Sequence, residues 1–62
     1  MIFKVIIVDD EQAGINALER VIKDIDSLHI VASLTNGDEA IKAIETLSPD
    51  IVFLDIEMPE PG

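Results

Sequence analysis

Ile2-Phe3-Lys4-Val5-Ile6-Ile7-Val8-Asp9-Asp10-Glu11 is the stretch on which the fold turns. From Ile2 to Val8 the run is apolar apart from Lys4, and five of its seven residues are β-branched. Unbroken apolarity of this kind, without alternation, marks a strand covered on both faces, as in parallel sheets flanked by helices. This first strand spans about residues 2–8 and ends abruptly in three acids, Asp9, Asp10 and Glu11. The spacing then changes. Ile15, Leu18, Val21, Ile22 and Ile25 recur on one stripe, with Asn16, Glu19, Arg20 and Lys23 elsewhere, which predicts an amphipathic helix over about 11–25. Glu11 reads as a first-turn acid favoured by the helix dipole. Gly14 costs about 1 kcal/mol against alanine inside a helix. Near a first turn packed on a strand end, its missing side chain also permits close approach.

Downstream the alternation repeats. Asp24, Asp26 and Ser27 mark a break, and His29 to Leu34 reads as a second, less apolar strand. Thr35-Asn36-Gly37 is a turn, and Asn36 with Glu39 three residues on resembles a capping box. A second helix over about 38–47 places Ala40, Ile41, Ile44 and Leu47 on its apolar face and stops before Pro49. Ile51 to Leu54 is a third strand, wholly apolar, and it too runs into an aspartate, Asp55. Ile56 to Gly62, with Pro59 and Pro61, is a loop. Strand, helix, strand, helix, strand predicts an α/β unit with parallel pairing and right-handed crossovers.

Composition narrows the function classes. The 62 residues hold 13 acids against 4 basic side chains, a formal charge of −9. Such a surface opposes nucleic-acid phosphates and anionic lipid heads, so direct contact with either by this segment is not expected. There is no apolar run near the ~20 residues of a membrane span, and no secretory signal pattern. With no cysteine, disulfide and thiolate-metal staples are excluded, which suits the cytoplasm. A chain this short buries only about 60% of its unfolded surface. It is therefore expected to associate with a partner or to be part of something longer.

The chemistry gathers where the strands end. Ligands of open α/β sheets bind at the carboxyl rim where the strand order reverses. In the order 2-1-3 that point lies between the first and third strands, the two that end in aspartate. Neighbouring strands are ~4.8 Å apart, so Asp9 or Asp10 is expected beside Asp55. Close carboxylates repel unless a cation sits between them. Mg2+ is hard, takes oxygen ligands, and commonly uses one or two carboxylates plus waters and phosphate oxygens. A carboxylate beside it can also act as the nucleophile that accepts a phosphoryl group.

VIIVDDE (Val5 to Glu11) and IVFLDIEMP (Ile51 to Pro59) resemble the two signature segments of the receiver domain of two-component response regulators. The likeness covers the whole chain in order and spacing, including the Asn36-Gly37 turn followed by Glu39-Ala40. It implies a flavodoxin-like receiver half-domain, β-α-β-α-β, with three parallel strands in the order 2-1-3. It further implies Asp55 as phosphoryl acceptor from a sensor histidine kinase. Asp10 and Asp55 would bind Mg2+ directly, Asp9 largely through water, and the Glu57 backbone carbonyl would be a further ligand. The family's fourth-strand Ser or Thr and fifth-strand Lys have no counterpart here, so these residues alone are not expected to switch. The LDIEMP wording is common in regulators with a DNA-binding output domain of the LytTR type.

Two other readings stand beside this one. A haloacid-dehalogenase-like phosphohydrolase also places an aspartate nucleophile after an apolar strand. It wants a second Asp two residues on, where this chain has Glu57, and it leaves Asp9-Asp10 unexplained. The other reading is a self-associating assembly fragment, because a last strand as apolar as Ile51 to Leu54 leaves one edge unpaired.

Overall fold

The computed structural model describes residues 1–55. Within them the order is β1 (Phe3–Asp9), α1 (Gln12–Ile22), β2 (Leu28–Leu34), α2 (Gly37–Leu47) and β3 (Ile51–Asp55). The three strands form one parallel sheet, β2-β1-β3, the flavodoxin-like arrangement expected of a receiver half-domain.

β1 is central and explains its own composition. Val5, Ile6, Ile7 and Val8 are all buried, but into two different layers. Val5 and Ile7 pack with Ile15 and Ile22 of α1, while Ile6 and Val8 pack with Ala40 of α2. A strand with a helix on each face has no polar side to alternate with.

β2 contributes to both layers by a different device. Leu28 and Ile30 pack with the α1 layer, whereas Val31, Ala32 and Leu34 pack with the α2 layer. Strict alternation would put Leu28, Ile30, Ala32 and Leu34 on one face. The register supplies the reason: Val5 pairs with Ile30 but Ile6 pairs with Ala32, so Val31 is an extra residue that flips the faces beyond it. Ser33 is thereby turned toward α1, where its hydroxyl donates to the Glu19 carboxylate at 2.7 Å.

The helices depart from their sequence expectations in instructive ways. α1 ends at Ile22, three residues short of Ile25. Beyond it the chain tightens: the Asp24 N–H bonds the Val21 carbonyl and the Ile25 N–H bonds the Ile22 carbonyl, both three residues back. Such tight i→i−3 turns are common at helix ends, and the acids at 24 and 26 are unfavourable against the negative end of a helix dipole. Val21, expected in the core, is 61% exposed. Six residues after Ile15 at 100° each, it lies about 120° round the helix from that buried position. Ile15, Leu18 and Ile22 alone form the packed stripe.

α2 begins as the sequence implies. The Asn36 side chain accepts the Glu39 N–H at 3.0 Å, with Asp38 and Glu39 in the first turn. It closes on Ser48, whose φ of 48° lies in the left-handed region just before Pro49. Lys4 reaches the same end: its ammonium donates to the Leu47 carbonyl at 2.8 Å, and its backbone N–H to the Asp50 carboxylate at 2.8 Å. Only Ala40 of α2 is fully buried. Ile41 and Ile44, expected on the covered face, are 59% and 37% exposed. On β3, Val52 and Leu54 are exposed as well, because α2 lies over β2 and β1 and not over β3.

Candidate functional site

β1 and β3 end level with one another. Asp9 and Asp55, the last residue of each, are direct register partners across the parallel pair. At the spacing of adjacent strands, about 4.8 Å, this sets two carboxylate-bearing residues side by side at the carboxyl rim. Asp10 follows Asp9 immediately. The structure thus sets all three aspartates that the sequence singles out at the same rim of the sheet, Asp9 paired with Asp55 and Asp10 next in the chain.

Their surroundings differ. Asp9 is buried, with 9% of its surface exposed, on the same face as Ile7 and α1. Its Oδ1 accepts the Glu11 N–H at 2.9 Å. Its carboxylate lies directly over Gly14: a Cβ built on Gly14 would stand 2.8 Å from the Asp9 Cγ and overlap Oδ2 outright. Asp10 and Asp55 are exposed.

Two recesses flank the rim, and Asp55 lines both. The one on the α1 side, about 150 Å³, is bounded by Asp9, Leu18, Phe53 and Asp55. The one on the α2 side, about 260 Å³, is bounded by Val8, Asp10, Thr35, Gly37, Leu54 and Asp55. Asp9, the last residue of β1, lines the α1-side recess, and Asp10, just past the strand, lines the α2-side one.

Several sequence expectations are refined at the rim. Glu11 is not in the first turn of α1; it is the N-cap residue, with extended backbone and no side-chain cap bond. The side chain of Asp9 makes the local bond instead. Glu57, with Met58 and Pro59, lies outside the described residues. His29 is an exposed residue of β2 paired with Lys4, toward the opposite end of the sheet. Thr35 joins the rim although its sequence carries no motif. The one signal for it is its place immediately after β2, where the rim must lie.

Among the described residues, no three His, Cys, Asp or Glu side chains are gathered to hold a metal by themselves. The donor set that is present, two exposed carboxylates on one recess, fits a hard cation that keeps most of its water. That is the usual coordination of Mg2+, which takes one or two carboxylates and completes its shell with waters and phosphate oxygens. It does not fit a softer metal needing imidazole or thiolate. Among the described residues, no helix is long and apolar enough to cross a membrane.

Comparison with known proteins agrees with this geometry. The chain is 50% identical over 56 residues to an uncharacterized response regulatory protein of Yersinia pestis, a match covering 90% of this chain and 24% of that protein. It is 45% identical over 56 residues to the transcriptional regulatory protein BtsR of Salmonella typhi, covering 90% of this chain and 23% of that one. A protein-glutamate methylesterase/protein-glutamine glutaminase of Pseudoalteromonas atlantica is 36% identical over 59 residues, covering 95% of this chain and 16% of the relative. The chain therefore spans about a quarter or less of the length of these relatives. Receiver domains in general are two-component signalling modules, with histidine kinases as phosphodonors and Mg2+ as their ion. The response regulator receiver domain family matches residues 5–61, and the chain belongs to it.

Proposed function

We propose that this chain is the phosphoryl-accepting part of a two-component response regulator, with Asp55 as the acceptor. The observation that carries the reading is the register pairing of Asp9 with Asp55, with Asp10 and Asp55 facing one recess. An exposed Asp55 carboxylate oxygen attacks the phosphorus of a phosphohistidine on the sensor kinase. The new O–P bond forms as the P–N bond breaks, the electron pair leaves with the imidazole nitrogen, and an aspartyl phosphate results.

Asp10 and Asp55 would hold Mg2+ directly, with Asp9 acting through water and the Glu57 carbonyl as a further ligand. When bound there, Mg2+ supplies positive charge to the phosphoryl oxygens and relieves the repulsion between the carboxylates. Asp9 accepts the Glu11 N–H and ends β1 level with Asp55 of β3. The family's phosphoryl-sensing Ser or Thr and its pairing Lys have no counterpart by position in these residues. Lys4 lies in β1, Lys23 caps α1 and Lys42 lies in α2. We place this module in a cytoplasmic regulator of transcription, since its relative BtsR is named a transcriptional regulatory protein. The test is labelling of the full-length protein by acetyl phosphate with Mg2+. Asp55→Asn abolishes the label; persistence of the label in that variant contradicts the assignment.

A second reading concerns these residues in isolation. Among the described residues β3 pairs on one side only, and Val52 and Leu54 are 38% and 60% exposed. An apolar edge strand is a template for pairing with another chain, so the 62-residue piece alone is expected to self-associate. Sedimentation of a stable, cooperatively folding monomer would refute this.

A further inference from the structure

We propose that Gly14 is a positioning residue: by carrying no side chain, it lets the Asp9 carboxylate fold back over the first turn of α1, away from the cation shared by Asp10 and Asp55. The proposal rests on the reading of that rim as a Mg2+ site.

Two observations carry it. The first is steric. The Asp9 carboxylate occupies the volume a Gly14 Cβ would fill, 2.8 Å from Cγ and in overlap with Oδ2. Any larger residue at 14 displaces it. The second is directional. Oδ1 accepts the Glu11 N–H at 2.9 Å and Oδ2 lies over Gly14, so the carboxylate is turned toward the helix side. Asp9 is 9% exposed although it sits level with the exposed Asp55. Asp9 also lines, with Asp55, the recess of about 150 Å³ on the α1 side, which offers room for a displaced carboxylate.

Glycine inside a helix is costly relative to alanine, and φ at Gly14 is not positive. The backbone conformation therefore does not require glycine; the close approach of Asp9 does. With alanine at 14, the Asp9 carboxylate is displaced into the α1-side recess that it shares with Asp55, which brings its charge nearer the cation held on the other side of Asp55.

The experiment is calorimetric titration of Mg2+ into the full-length protein, in four forms: wild type, Gly14→Ala, Asp9→Asn, and the double variant. Gly14→Ala is expected to bind about three- to tenfold tighter, the effect of bringing one carboxylate nearer a divalent cation in a solvent-exposed site. Asp9→Asn is expected to weaken wild type only modestly, because its amide oxygen still accepts the Glu11 N–H. It should remove most of the gain made by Gly14→Ala. Equal affinity of Gly14→Ala and wild type, or the same loss from Asp9→Asn in both backgrounds, overturns the proposal. A large loss from Asp9→Asn in wild type overturns it even if Gly14→Ala fails to fold. Asp10→Asn and Asp55→Asn serve as controls: if neither weakens Mg2+ binding, the cation lies elsewhere and the underlying site reading fails instead.

Discussion

At the scale of single residues, Asn36 shows how directly a short motif can dictate local geometry. A short polar side chain after a strand, with Glu39 three residues on, implies a cap, and the 3.0 Å bond from the Glu39 N–H to Asn36 is that cap. Asn36→Ala should cost about 1 kcal/mol in urea unfolding of the full-length protein, with little change in the denaturant slope. Glu11 is less readable. An acid just before an amphipathic run suits either the first turn or the cap position, and only the extended backbone at Glu11 decides between them. The local bond there is made by Asp9, two residues earlier, so a residue expected to serve chemistry also serves architecture.

At the scale of elements, the packed stripe of α1 separates residues that composition alone treats alike. Ile15 and Val21 are both β-branched and both apolar, yet one is 0% and the other 61% exposed. Ile15→Ala should therefore destabilise by about 2–5 kcal/mol through loss of burial and a residual cavity. Val21→Ala should stay within about 0.5 kcal/mol. Parallel urea denaturation of the two variants checks the contrast, and comparable losses would place the packed stripe elsewhere. Element existence and order are legible in the periodicities because these reflect which faces are covered. The bulge at Val31 is not. Both Leu28-Ile30 and Ala32-Leu34 are apolar, so a change of face between them leaves no trace in the hydrophobic pattern.

At the scale of the molecule, the strand order β2-β1-β3 converts two separate stretches of sequence into one rim. Its legibility comes from β1, whose unbroken apolarity is explained only by helices on both faces. The exposed apolar residues of β3 and α2 are harder to foresee, since Ile41, Ile44, Val52 and Leu54 look as core-like in sequence as Ile6 does. Their exposure follows from α2 lying over β2 and β1 and not over β3, which is not encoded in their own pattern. The pairing of Asp9 with Asp55 is readable because it needs only strand order and strand ends. The fold-back of Asp9 over Gly14 needs side-chain placement.

Asp55 as the point of phosphoryl attachment is the claim on which the functional reading depends. The most direct measurement phosphorylates the full-length protein in Mg2+, reduces the product with borohydride, which converts an aspartyl phosphate to homoserine, and locates the change by peptide mass spectrometry. Conversion at Asp55 alone is the predicted result. Conversion at Asp9, Asp10 or any other residue, with Asp55 intact, would contradict it.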